Sequence, residues 1–128
     1  MTEREMLERT KRFSLAVMQW VDLLPTTLKG RTLAGQLLRS GRSVGANHRA
    51  ACRGRLRAEF QAKIGQVEEE ADECCFWLEL AIRGGLIEPH DASPLLSEAE
   101  QLTRIMAASR RTTKAGSPTS SDRKSERH

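Results

Sequence analysis

Residues 58–83 read AEFQAKIGQVEEEADECCFWLELAIR, and this stretch decides the fold. Phe60, Ile64, Val67, Ala71, Cys74, Cys75, Leu78 and Ile82 recur every three or four residues. At 100° per residue they fill an arc about 100° wide, the signature of a helix with one buried face. The second half, Cys74-Cys75-Phe76-Trp77-Leu78, is apolar on nearly every side. A helix hydrophobic all round is buried all round, so this half is expected to meet another subunit as well as its own core. Gly84-Gly85 stop the helix as a C-cap would.

Three more helices extend outward from it. Upstream, Leu33, Leu37, Ser40, Val44, Asn47, His48 and Ala51 predict a helix from about Thr32 to Arg53, broken at Gly54. Gly35, Gly41 and Gly45 each weaken it by about 1 kcal/mol relative to Ala, yet their small size lets another helix approach closely. Before it, Met6, Thr10, Phe13, Val17, Trp20, Val21 and Leu24 form a stripe ended by Pro25, with Thr26-Thr27 in the turn. Downstream, Ser93-Pro94 reads as an N-cap followed by Pro at the first helical position. Leu95, Ala99, Leu102 and Met106 continue that helix until its stripe fades near Ser109. No strand pattern occurs, and short connections make neighbours antiparallel. The expected fold is all-α: an up-down-up-down four-helix bundle over residues 1–111. Residues 112–128 are mostly Ser, Thr, Lys and Arg, with one Gly, one Pro and little to bury, and are expected to form a disordered basic tail.

Length and composition agree with one soluble domain: 128 residues, 38% hydrophobic and 30% charged. Aromatic residues make up 4% and Tyr is absent, which argues against a stacking platform for single strands. The first residues, Met1-Thr2-Glu3-Arg4-Glu5, contain no apolar core of a secretory signal, and no apolar run reaches membrane-spanning length. A cytoplasmic protein that does not engage a membrane is expected. Cys52, Cys74 and Cys75 are then free thiols behaving as small hydrophobes.

Charge is unevenly distributed. No acid falls between Asp22 and Glu59, whereas Lys29, Arg31, Arg39, Arg42, Arg49, Arg53, Arg55 and Arg57 do. Glu59, Glu68, Glu69, Glu70, Asp72, Glu73 and Glu79 then face only Lys63. On the helical wheel Arg31, Arg39, Arg42, Arg49 and Arg53 lie about 160–240° from the core residues, a stripe suited to phosphate.

Other chemistries fit poorly. His48 and Cys52, one turn apart, lack an orienting third group and an oxyanion hole, so they do not make an enzyme. Cys74 lies too many turns from Cys52 to complete a metal site with it. The acids lack the Glu-x-x-His spacing of a di-iron bundle, and lie on the flanks and outside of their helix as a solvated face or subunit contact. No catalytic residue, metal or cofactor is expected. Asn47, on the apolar stripe, is expected to bury its amide and bond backbone groups at a helix crossing.

Ser43-Val44-Gly45-Ala46-Asn47-His48-Arg49-Ala50-Ala51-Cys52-Arg53-Gly54-Arg55, followed by Ala58-Glu59-Phe60, resembles a known family. It is similar to the bacterial four-helix bundle proteins first noticed as reading frames within intervening sequences of 23S ribosomal RNA. Their pattern places Ser, an aliphatic residue and Asn near the end of helix two, matched by Ser43, Val44 and Asn47. Glu59-Phe60 match the opening of helix three, and Glu73 and Leu78 match its later acidic and Leu positions. Leu23-Leu24-Pro25 and Gly84-Gly85-Leu86-Ile87 match as well, so the resemblance covers roughly Lys11 to Met106. It implies structural roles for Asn47, Glu59, Phe60 and Glu73, and a homo-oligomer of five subunits. Relatives include the accessory variability determinant of diversity-generating retroelements, a basic pentamer that binds nucleic acid and a reverse transcriptase. Many members carry Ala-Glu-Gly after the Asn; here His48-Arg49-Ala50-Ala51-Cys52-Arg53 stands instead, an Arg-rich branch.

The functional expectation is a non-enzymatic homo-oligomeric adaptor. Arg39, Arg42, Arg49 and Arg53 would contact RNA or DNA, or a nucleic-acid-processing partner. The alternative is a purely structural or protein-interaction scaffold that binds no nucleic acid.

Overall fold

Thr2 opens the first helix with a reciprocal cap. Its hydroxyl accepts from the Glu5 N–H at 3.1 Å, while the Glu5 carboxylate accepts from the Thr2 N–H at 2.7 Å. These bonds hold the Glu5 carboxyl below its ordinary range. Helix α1 spans Glu3–Trp20 and tightens into a 3₁₀ turn over Val21–Leu23. Helix α2 spans Leu28–Arg53, α3 Arg57–Arg83 and α4 Pro89–Ala115 in a computed structural model that describes residues 1–115.

Each helix packs on its sequence neighbours, and α1 meets α4 over a shorter seam; α1 and α3 sit on opposite corners, as do α2 and α4. This is the expected all-α up-down bundle. Val17, Leu37, Val44, Ile64, Val67, Leu78, Leu102 and Met106 fill its centre, fully buried. Along the α1–α4 seam, Arg9 grips Glu98 through Nε at 2.7 Å and Nη2 at 2.8 Å, and Nη2 also donates to Gln101 at 3.0 Å. The Trp20 indole N–H donates to the Asp91 carbonyl at 2.9 Å.

Three boundaries differ from the sequence reading. Helix α2 begins four residues before Thr32, because the Thr27 hydroxyl accepts from the Gly30 N–H at 3.2 Å and caps it. Gly30 is required there: a Cβ would fall 1.9 Å from the Pro25 carbonyl oxygen. Helix α4 begins at Pro89, not at Ser93, so Pro94 lies inside it. Pro89 supplies the same pre-set first position, and buried Ala92 carries the stripe one turn upstream. At its other end α4 continues through residues 112–115, which were expected to be tail. The Thr113 hydroxyl donates to the Ser109 carbonyl at 2.8 Å, and Arg110 pairs with Glu68 of α3 at 2.8 Å. The rest of the expected tail, residues 116–128, lies outside the described residues.

The exit of α3 follows the expectation. Gly85 adopts φ 75°, and the Leu86 N–H reaches back to the Ala81 carbonyl at 2.9 Å, the bond of a glycine-terminated helix.

Candidate nucleic-acid interface

The candidate surface begins with how closely α1 and α2 approach. Ser14 of α1 inserts its hydroxyl into the α2 backbone, donating to the Gly41 carbonyl at 2.7 Å and accepting from the Gly45 N–H at 3.0 Å. A Cβ on Gly41 would lie 2.6–2.8 Å from three side-chain atoms of Val17, and one on Gly45 2.6 Å from Ser14 Oγ. Gly41 and Gly45 therefore permit the contact, as expected. Gly35 takes no part, since nothing lies within 4 Å of its Cβ position.

One turn below, a buried polar chain crosses the same seam. Thr10 Oγ1 lies 3.2 and 3.1 Å from the Met6 and Leu7 carbonyls, 2.8 Å from His48 Nδ1, and His48 Nε2 lies 3.7 Å from Cys52 Sγ. One arrangement of protons satisfies every member: Thr10 donates to backbone, His48 Nδ1–H donates to Thr10, and the Cys52 thiol donates to Nε2. The neutral imidazole fits this chain, and burial lowers the His48 pKa. Burial, with Glu3 nearby, pushes the Cys52 thiol up to about 11. Both groups are thus held in forms opposite to those of an activated thiolate pair.

Above this seam lies a groove of about 560 Å³. Arg42, Arg49 and Arg53 line it from α2, and Arg4 and Lys11 from α1. Glu3 and Glu8 also border it, leaving an excess of three positive charges by 5 − 2. The three α2 arginines are exposed and enter no ion pair among the described residues.

Arg39 departs from this set. It lies on the opposite flank of α2, where it pairs with Glu70 at 3.4 Å and, more closely, with Glu73 of α3. The stripe is therefore divided: Arg39 ties α2 to α3 within the subunit, and the other three face the groove. The helix-three acids likewise serve inside the subunit, with Glu70 and Glu73 on Arg39 and Glu68 on Arg110, while Glu69 and Asp72 remain exposed.

Asn47 corrects another expectation. It is half-buried and its side chain makes no hydrogen bond among the described residues; His48, one position on, takes the buried polar place because Thr10 stands opposite it. Glu59 opens α3 by accepting from the Arg55 and Leu56 N–H groups at 2.9 and 3.1 Å, which lowers its pKa. Phe60 packs against the core, and Glu73 also accepts from the Trp77 indole at 2.9 Å. Cys74 is buried and donates to Ser40 at 3.3 Å. No cluster of three metal-ligating side chains occurs among the described residues. No helix among them is long and apolar enough to cross a membrane.

Sequence periodicity missed Arg4, Lys11 and Ser14. Their spacing along α1 puts them beside Leu7 on one line, but only the pairing of α1 with α2 turns that line into a groove wall.

Comparison with known proteins places this architecture. The profile of the family described as 23S rRNA-intervening sequence protein matches residues 2–108. A solved protein of unknown function from the S23 ribosomal protein family of Bacteroides thetaiotaomicron is 27% identical and superposes with a TM-score of 0.80. The match covers 88% of this chain and 100% of that one. Among curated proteins none matches.

Proposed function

Because this chain belongs to the 23S rRNA-intervening sequence protein family, whose matched solved relative has no known function, we propose its role from the groove: a non-enzymatic homo-oligomeric adaptor that holds nucleic acid, or a nucleoprotein partner, along the α1–α2 seam. The observation that carries this reading is the convergence of Arg4, Lys11, Arg42, Arg49 and Arg53 on one groove. From Arg42 to Arg53 the helix rises about 16 Å. That length spans about five phosphates of one strand at about 3.4 Å each. Arginine forks along such a line position a backbone without reading bases. Copies around an oligomer would multiply the contact. The exposed apolar residues Leu15, Met18, Phe76 and Leu80 support self-association.

The test is a salt titration of duplex binding with a chain ending at Ala115, which removes the basic residues beyond α4. Arg49→Gln with Arg53→Gln should flatten the log–log slope by about 1.8 per subunit engaged, at about 0.9 per lost phosphate contact. Sequence preference should not change. An unchanged slope, or no binding at low salt, refutes the nucleic-acid reading. Binding that RNA and DNA fail to compete away, but an acidic polypeptide does, assigns the groove to a protein partner instead. Arg39, already paired within the subunit, should contribute nothing to the slope when replaced by Gln.

A further inference from the structure

The outward faces of α1 and α3 point away from each other, because these helices occupy opposite corners of the bundle. Both faces are partly apolar, and their charges are opposite. On α3, Phe76 is 52% and Leu80 43% exposed, on a line with Asp72 and Glu79. Phe76 is braced edge-on against Trp77 with ring centroids 5.0 Å apart, a rigid aromatic knob rather than a loose one. The acidic character extends onto α4: Asp72, Glu79 and Glu100 line one depression with Phe76, Cys75 and Arg104, three acids to one base. Burial, with those three carboxylates nearby, pushes the Cys75 thiol up to about 11. On α1, Leu15 is 50% and Met18 55% exposed, flanked by exposed Lys11 and Arg12 with Glu8 one turn before Arg12.

We propose that these two faces form one heterologous contact between copies of this chain: the acidic, aromatic α3 face of one copy docks on the basic, apolar α1 face of the next. The self-assembly in the preceding section is the premise; of the groove's basic residues only Lys11 takes part in this contact. The residue spacing supports a specific register. Lys11, Leu15 and Met18 repeat at 0, +4 and +7, and Asp72, Phe76 and Glu79 at the same intervals, with Leu80 one further. Laying the helices parallel with Lys11 against Asp72 sets Leu15 on Phe76 and Met18 beside Leu80. Because α1 and α3 run the same way within one bundle, this parallel packing relates successive copies by a turn about an axis along the bundle. Contacts of this type close into a ring when the rotation closes.

The experiment measures mass by light scattering on the full chain. Wild type should exceed the 14.3 kDa monomer several-fold. Asp72→Lys with Glu79→Lys makes both faces basic, and Lys11→Glu with Arg12→Glu makes both acidic, so each variant alone should be monomeric. Mixed in equal amounts, the two variants present opposite charges wherever unlike copies meet and should associate into species that contain both and are heavier than either alone. That recovery also shows that each variant is folded. A monomeric wild type overturns the premise and the contact together. A multimeric wild type whose variants keep its mass, or whose mixture stays monomeric, overturns the contact alone. Failure of the nucleic-acid reading would leave all these masses unchanged.

Discussion

Replacing Gly41 by Ala should destabilise the bundle, although the same change at Gly35 should stabilise it. Both glycines lie in α2, and either substitution gains about 1 kcal/mol of helix propensity. At Gly35 nothing lies within 4 Å of the new methyl, so the gain stands. At Gly41 the methyl would sit 2.6 Å from Val17 Cγ1 and 2.8 Å from both Cβ and Cγ2. Ordinary contact needs about 3.5–4.0 Å, so α1 must retreat by about 1 Å. Val17 is fully buried and β-branched, a side chain with one strongly preferred rotamer in a helix. The cost therefore falls near the top of the overpacking range, about 3 kcal/mol. The net result is a loss of about 2 kcal/mol at Gly41 and a separation of about 3 kcal/mol between the two variants. Urea titration at one fixed protein concentration measures both. Val17→Ala in the Gly41→Ala background should recover part of the loss, giving a favourable coupling in the double-mutant cycle. If Gly41→Ala proves as stable as Gly35→Ala, close approach does not set the α1–α2 spacing.

Two further outcomes follow from the same seam and its approach. Burial lowers the His48 pKa below its ordinary 6.5, so on acidification the unfolded chain takes up the proton first. Stability should fall as pH drops below about 6.5, by at most about 1.4 kcal/mol per pH unit. Melting curves between pH 5 and 7 should show this slope in wild type and lose it in His48→Gln. At the start of α2, Thr27→Ala should cost about 1 kcal/mol by removing the cap, while Thr26→Ala should be neutral. Equal effects in thermal melts would mean that the helix does not begin where Thr27 caps it.

The bundle was legible because α3 declares itself twice, by a stripe from Phe60 to Leu78 and by the Gly84-Gly85 stop. The start of α2 was not, because its first turn, Leu28-Lys29-Gly30, adds no apolar side chain to the stripe: Leu28 and Lys29 are exposed, and buried Gly30 is there for Pro25. For α4, Glu88-Pro89 and Ser93-Pro94 both fit a Pro-initiated helix, and only the burial of Ala92 against the bundle separates them. The candidate surface was half visible. A single wheel finds Arg42, Arg49 and Arg53, but it cannot show that Arg39, a little further round, comes within reach of Glu70 and Glu73. That depends on the register between α2 and α3, a tertiary quantity. The exchange of Asn47 for His48 has the same origin. Both residues lie within the arc that periodicity assigns to the core, and Thr10 across the seam selects between them.

The order of packing also bears on how this chain reaches its fold. The extensive helix contacts join consecutive helices, and among the described residues the only seam between distant parts of the sequence is the short one where α1 meets α4. Loops only a few residues long must close before each consecutive pair can meet, so little entropy is lost before each contact forms. Such a topology has a low contact order, and helical bundles of this kind fold in microseconds to milliseconds. The α1–α4 seam is the exception: it brings Arg9 to Glu98 across 89 positions and waits on the whole chain. By this argument it should be the last part of the bundle to assemble and the first to open.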